Sequence, residues 1–355
     1  MSSPTRTLDT SGLTLVAAAD DAEWDACVAR SAQGTFCHLA GWREIMADVL
    51  GHECLFRAAV DPDGRWVGVL PLVRMRSRLF GHHLVSVPFL NYGGPVGAAA
   101  ARALLAGWAL EEARRSRADA LELRTFEALP GSPQLRPARA KLTVLLDLPA
   151  SAEALWREGF DSKLRSQIRR PRKEGFVPRF GHDQVEPFYE VFRRNMRDLG
   201  TPVLPRALFE RLPRIFGDRV VFGAVYDGAR PIAAGCGFID GRAFEMTWAS
   251  SLREYNRKAP NMLLYWSFME AVIARGVQVF NFGRCTPESG THRFKRQWGG
   301  VDRPLPWLQW SRGAGHEAPA PERPGFRLAT EAWRRLPLPV ANRVGPWLSR
   351  RIPTF

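Results

Sequence analysis

An internal repeat restricts this chain's fold more than any other feature. In the second half, RVVFGAVYDGARPIAAGCGFIDGRAFEMTWASS holds three β-type runs separated by Asp227-Gly228 and Asp240-Gly241. Asp-Gly between apolar runs is a strong hairpin signal. APNMLLYWSFMEAVIARG follows, with Met262, Tyr265, Trp266, Met269 and Val272 at helical spacing and Gly276 where a C-cap belongs. The strand-like VQVFNFG comes next. The first half runs the same way: ECLFRAAVDPDGRWVGVLPLVRM, then HHLVSVPF, a glycine-rich loop NYGGPVG, the helical AAARALLAGWALEEARRSRA and the strand-like ALELRTF. Gly64 and Gly228 in the hairpins are 164 residues apart, and Trp108 and Trp266 in the helices are 158 apart. Two β-β-β-α-β units imply a duplicated α/β (α+β) domain.

The length agrees: 355 residues exceed most single cores and suit two domains. The expected organisation is a first domain over 10–148, a second over 149–312, a linker over 313–325 and a basic amphipathic tail over 326–355. KLTVLLDLP is expected to complete the first unit and ASAEALWREGF to open the second. GAGHEAPAPERPG reads as a linker. The tail carries six arginines against one glutamate. It reads either as short helices resting on the anionic inner face of the cytoplasmic membrane or as a segment packed on the body.

With 45% hydrophobic and 24% charged residues the composition is that of a globular protein. No run of about 18 apolar residues is present, and the N-terminus lacks the pattern of a secretory signal, so a cytoplasmic protein is expected, peripheral to the membrane if the tail binds there. Cys27, Cys37, Cys54, Cys236 and Cys285 are scattered and odd in number, which argues against a disulfide framework or zinc site. The formal charge of +14 favours anionic ligands. Lysine occurs only at 141, 163, 173, 258 and 295; every other basic residue is arginine.

Several stretches could carry chemistry. DSKLRSQIRRPRKEGF places Arg165, Arg169, Arg172 and Lys173 on one helical face able to hold phosphates or an RNA backbone; the alternative is a solvated face. NYGGPVG, with Tyr92, Gly93 and Gly94, allows close backbone approach to a ligand or is an ordinary turn. MTWASS, with Trp248 and Ser250, ends a strand that could line a cleft. In NFGRCTPESGTHRFKRQWGG, Lys295 offers a compact point charge that an arginine fork does not mimic, or anchors a helix whose Phe294 and Trp298 pack inward.

Together these stretches resemble the FemAB family, whose members transfer amino acids from aminoacyl-tRNA to cell-wall precursors. The resemblance covers roughly residues 20–312. It rests on Phe294-Lys295-Arg296-Gln297-Trp298-Gly299, on Gly94-Pro95-Val96 and on the basic helix. RSRLFGHHLVSVPFLNYGG, NMRDLGTPV, ASSLREYN, PNMLLYW and GRCTPESGTHRFKRQWG are similar to the branch that accompanies exosortase (PEP-CTERM) exopolysaccharide systems. The resemblance implies two tandem GNAT-like acyltransferase domains with mixed, mostly antiparallel sheets. It also implies acyl or aminoacyl transfer, from aminoacyl-tRNA or acyl-CoA, to an amine on an anionic, phosphorylated or lipid-linked glycan precursor. No tightly bound cofactor and no metal is expected. Asn281 stands where the family often has an acid.

Lys295 is the catalytic candidate, as the charge that meets a developing oxyanion. Tyr92, Gly93, Gly94, Arg165, Arg169, Trp248, Ser250, Asn261, Tyr265, Arg284, Arg293, Phe294 and Trp298 are the expected substrate-binding residues. Glu288 and His292 are near enough in sequence to act as a base. The alternative reading is a non-catalytic glycan- or phosphate-binding protein of exopolysaccharide assembly.

Overall fold

The computed structural model describes residues 12–129, 134–313 and 324–353. The chain divides into two compact units. The first comprises Met1–Lys141, Leu305–Arg323 and Arg350–Phe355; the second comprises Leu142–Pro304 and Pro324–Ser349.

The first unit is built on β1 (Thr14–Ala17), β2 (Glu53–Val60), β3 (Trp66–Ser77), β4 (Gly81–Ser86), β5 (Val96–Gly97), β6 (Ala120–Leu123), β7 (Arg136–Pro137) and a late strand, β15 (Leu308–Ser311). Their order is β1-β2-β3-β4-β6-β15-β7, with β5 on β3. Helices α1 (Asp21–Arg30) and α2 (Ala99–Arg115) belong to this unit. Ala101, Leu105, Ala109 and Ala113 of α2 recur at helical spacing and are buried with Leu70, Leu72, Leu84 and Leu121 of the sheet.

The second sheet runs β14-β8-β13-β12-β11-β10-β9. Its strands are β8 (Lys141–Asp147), β9 (Val177–Phe180), β10 (Val220–Asp227), β11 (Arg230–Asp240), β12 (Ala243–Ser251), β13 (Val279–Cys285) and β14 (Val301–Leu305). Helices α3 (Ser162–Lys173), α4 (Val185–Leu199), α5 (Arg206–Phe216), α6 (Pro260–Ile273) and the short α7 (Gly290–Arg296) accompany it. The two Asp-Gly pairs make the expected tight hairpins: Asp227 pairs Arg230 and Asp240 pairs Ala243, with Gly228 and Gly241 at φ near +60°. Helix α6 is buried on nearly every side, from Met262 to Met269, so its apolar residues form no single stripe.

In one respect the sequence reading needs correction. KLTVLLDLP does not complete the first sheet. As β8 it pairs antiparallel with β13, Leu146 opposite Phe280 and Leu142 opposite Cys285. The place beside β6 is taken by β15, with Trp310 opposite Leu121. Local pattern shows that LTVLL is a buried strand but carries no information on which edge it joins.

Each sheet contains a parallel pair that joins over three residues and then parts. In the first, His83, Leu84 and Val85 of β4 face Ala120, Leu121 and Glu122 of β6. In the second, Ala243, Phe244 and Glu245 of β12 face Val279, Phe280 and Asn281 of β13. Beyond Glu245, β12 pairs only with β11, while β13 pairs with β8 out to Cys285. The sheet therefore opens between 246–251 and 282–285.

The tail's two helices are folded on the second unit. Helices α8 (Pro324–Arg334) and α9 (Leu338–Ser349) lie against α4 and the loop after it. Arg197 donates to Leu336 O at 3.0 Å, and Gly345 lies close to Val203. Their outer surface keeps Leu328, Val340, Val344 and Trp347 exposed. Of the expected linker, 314–323 lies outside the described residues. No helix among the described residues is long and apolar enough to cross a membrane.

Glycines inside β10 and β11 make room for aromatic rings. A Cβ on Gly237 would stand 2.2 Å from Glu245 O and 2.3 Å from the Phe244 ring. Gly237→Ala should therefore cost about 1–3 kcal/mol of stability, measured by chemical denaturation.

Candidate active site

The site begins with strand β13. Phe280 and Phe282 alternate onto the α6 face, where Tyr265 stacks on Phe282 at 5.7 Å and lies 6.3 Å from Phe280. Asn281 points elsewhere, and its pairing with β8 shifts register between Asn281 and Arg284. Gly283 takes φ of +72° within that shift, a conformation that glycine adopts at little cost. In a regular strand successive carbonyls point to opposite edges. At the kink they do not: Lys295 Nζ donates to both Gly283 O, at 2.6 Å, and Arg284 O, at 2.9 Å.

Lys295 comes from α7, a helix of seven residues. Ser289 caps it, accepting from His292 N at 3.1 Å. Phe294 packs edge-on to Tyr265 at 5.0 Å, and fully buried Trp298 lies 5.6 Å from Phe160 and 6.0 Å from Tyr265. These rings fix the helix and aim Lys295 back at β13. Only 4% of Lys295 is exposed. Burial pushes its ammonium down to about 8; Cys285 and Glu245 oppose that effect and Arg284 adds to it. The group thus remains an ammonium at neutral pH and loses its proton only about a unit above it. Among the described residues two of its three N–H groups are taken by carbonyls, which leaves one for a ligand.

Behind the kink is a polar network buried in the sheet. Asn281 Nδ2 donates to Glu245 Oε2 at 2.9 Å. Asn281 Oδ1 accepts from Gly283 N at 2.8 Å and from the Thr143 hydroxyl. Glu245 is the residue that sequence reasoning missed. The available signal was a lone carboxylate in the apolar run AFEMTW.

The other expected residues fall into separate groups. Lys295, Phe294, Trp298, Tyr265 and the Arg284 backbone come together. Asn261 is half-buried at the start of α6. Arg293 is exposed and donates to Glu288 O at 2.8 Å. Trp248 packs on Phe209 of α5 at 5.2 Å, and Ser250 accepts from Asn195 of α4 at 3.0 Å, so both face the α4 and α5 layer. Arg165 is spent on the backbone, donating to Trp156 O, Arg157 O and Phe160 O. Arg169 stacks over Trp156 at 5.3 Å and stays exposed, as do Lys163, Arg170 and Lys173. Arg172 pairs with Glu270.

Tyr92, Gly93 and Gly94 belong to the first unit. Tyr92 is buried edge-on to Phe126 at 4.9 Å. Gly94 N donates to Arg124 O at 3.1 Å, and Gly94 O lies 3.0 Å from His38 Nε2. Burial pushes the His38 imidazole down to about 4, so it is neutral and donates to that carbonyl. A Cβ on Gly94 would strike Thr125 at 2.6 Å.

Of the base candidates, His292 accepts from Glu288 N and faces Asp302 at 3.0 Å. Burial, with Cys285 adding to it, holds the Tyr265 hydroxyl well above its usual range, so it keeps its proton. Cys285 is a buried thiol on β13.

Residues 160–296 match the model of the acetyltransferase (GNAT) domain. Among solved structures, FemX is 14% identical over 84% of this chain and 97% of its own, with a TM-score of 0.62. The C-terminal domain of a putative lysylphosphatidylglycerol synthetase from Agrobacterium fabrum is 14% identical, covering 83% and 92%, with a TM-score of 0.56. L-PGS from Bacillus licheniformis is 12% identical over 95% and 98%, with a TM-score of 0.57. The chain folds as two tandem GNAT-like domains. At these identities the likeness to the solved structures is one of fold. The sequence matches no curated protein. The matched stretch runs through α3 and the parting strands to α7, and includes Lys295.

Titration of Lys295 has a stability consequence. Its folded value, about 8, lies below the unfolded value of about 10.4. Below pH 8 both states hold the proton and the burial cost is constant. Between about pH 8 and 10.4 the unfolded state holds more protons, so folding becomes more favourable. Wild-type stability should rise over that window relative to Lys295→Met, measured by urea denaturation at a series of pH values.

Proposed function

We propose that this protein transfers an acyl or aminoacyl group from an activated donor, charged tRNA or acyl-CoA, to an amine on a cell-wall or exopolysaccharide precursor. The observation that carries this reading is the buried Lys295 ammonium where β12 and β13 part, inside the stretch matching the GNAT acetyltransferase domain. The amine attacks the ester or thioester carbonyl and a C–N bond forms. The carbonyl π electrons move to oxygen, and the oxyanion draws on the remaining N–H of Lys295. As the tetrahedral adduct collapses, the C–O or C–S bond breaks and the leaving group takes up the proton the amine has lost. A positive donor in a dry site counts most when charge develops.

The exposed cations of α3, Lys163, Arg169, Arg170 and Lys173, suit a polyanionic donor such as tRNA. FemX, the putative lysylphosphatidylglycerol synthetase domain and L-PGS share the fold, and the lipid in the second name supports an acceptor carried on a membrane lipid. The exopolysaccharide acceptor rests on the sequence resemblance to the exosortase-associated branch.

The tail suits a membrane-side acceptor. On α9, Val340, Val344 and Trp347 lie on one exposed face with Arg343 among them. Apolar residues and arginine on one outward face fit an anionic bilayer surface, with the indole at headgroup level. The described part of the tail carries one acid, Glu331, which pairs with Arg334 and Arg335.

Incubation with charged tRNA and acyl-CoA in parallel, followed by mass spectrometry of envelope precursors, should show mass addition from one donor. Lys295→Ala should lower that rate by about 10²–10³. A folded Lys295→Ala protein with full activity would remove the lysine from the mechanism, and tight glycan binding without turnover would favour a non-catalytic role. In a separate assay, Val344→Asp combined with Trp347→Asp should abolish co-sedimentation with phosphatidylglycerol vesicles and leave the fold intact by circular dichroism.

A further inference from the structure

Glu245 has no part in binding or transfer as described so far, yet it is one of the few carboxylates buried in either sheet. Its position is specific. It is the last residue of β12 in register with β13, directly opposite Asn281. One residue further on, the strands part.

Three hydrogen bonds run from its carboxylate to the ammonium. Asn281 Nδ2 donates to Glu245 Oε2 at 2.9 Å, Gly283 N donates to Asn281 Oδ1 at 2.8 Å, and Lys295 Nζ donates to Gly283 O at 2.6 Å. Asn281 can serve both ends because its amide has a donor and an acceptor side; an aspartate there would place two carboxylates face to face. The Gly283 N–H can only donate, which fixes the amide orientation, and the Thr143 hydroxyl then donates to the same Oδ1 from β8. The network holds Gly283 in its left-handed conformation and so turns two successive carbonyls toward one ammonium.

The charged or titratable groups that act on Lys295 come from two strands: Cys285 and Arg284 on β13 and Glu245 on β12. Arg284 repels the ammonium. Cys285 attracts it only after losing a proton, whereas Glu245 is a carboxylate whose charged form the hydrogen bond from Asn281 favours. We propose that Glu245 is the positioning residue of Lys295, fixing through Asn281 the kink that receives the ammonium and supplying the buried negative charge that keeps it protonated. The assignment rests on the reading of Lys295 as the group that meets the substrate, but its test involves no transfer reaction. If Glu245 proves to have this role while Lys295→Ala stays active, only the catalytic reading fails.

With lysine at five positions, full-length protein labelled with ¹³Cε-lysine should give five resolvable signals, and Lys295→Met identifies the one that matters. In wild type that signal should titrate near pH 8. Glu245→Gln keeps an oxygen to accept from Asn281 and removes the charge, so the midpoint should fall by about one pH unit or more. Cys285→Ser should move it less. An unchanged midpoint in folded Glu245→Gln, or a larger shift from Cys285→Ser, would overturn the assignment. If Glu245→Gln alone does not fold, Glu245→Gln/Lys295→Met removes both charges and should recover the native circular dichroism spectrum. Failure of the double variant to recover would equally contradict it.

Discussion

A single buried ammonium organises the second domain's site. Lysine is expensive to bury, and the cost is tolerable only where its donors meet strong acceptors and a counter-charge lies close. Strand β13 meets the first condition by kinking at Gly283, and the second is the role proposed for Glu245 of β12, which reaches the kink through Asn281. The helix that delivers the lysine is too short to be stable alone. Its position follows from Trp298 and Phe294 packing on Tyr265 and Phe160. The aromatic cluster and the ammonium thus hold each other: the rings fix the helix, and the helix fixes the charge.

The duplicated plan shows the same constraint met differently. In the first domain the parting strands are β4 and β6, and a buried cation again stands where they diverge. Arg124 follows β6 directly, fully buried, with Nη1 donating to Leu90 O at 2.6 Å and Nε to Glu122 at 2.8 Å. Its backbone N–H donates to Ser86 Oγ at 2.7 Å, and its guanidinium stacks over Trp307 at 4.8 Å. The loop it supports contains Val87 and Phe89 at positive φ, a conformation that side chains with a Cβ seldom adopt. Arginine's fork holds a loop by several directed bonds, whereas lysine's point charge keeps a spare donor. On this chemistry the first domain's cation suits a brace, and the spare donor of the second domain's suits the role proposed for it.

Much of this was legible in the sequence. The hairpins at Asp227-Gly228 and Asp240-Gly241, the helix from Pro260 and the repeat itself follow from local pattern, because turn geometry and helical spacing are local. Lys295 stood out in a chain whose basic residues are nearly all arginine. The exchange of β8 and β15 between sheets was not legible, because strand partners are chosen by distant packing. Arg165 looked like a phosphate ligand, yet folds back on three carbonyls of its own connection; its charge was visible and its geometry was not. Glu245 was hidden for the same reason. In sequence it is 36 residues from Asn281, and only the parallel register of β12 on β13 brings them together.

The central claim is that the Lys295 ammonium meets the carbonyl oxygen of the transferred group. The most direct measurement is the pH profile of single-turnover transfer from the productive donor, in wild type and Lys295→Arg. The account predicts that the wild-type rate falls as pH rises through about 8, where the ammonium loses its proton, and that this limb is absent in Lys295→Arg, whose charge persists. A wild-type profile that stays level through that range, or an identical limb in the arginine variant, would contradict it.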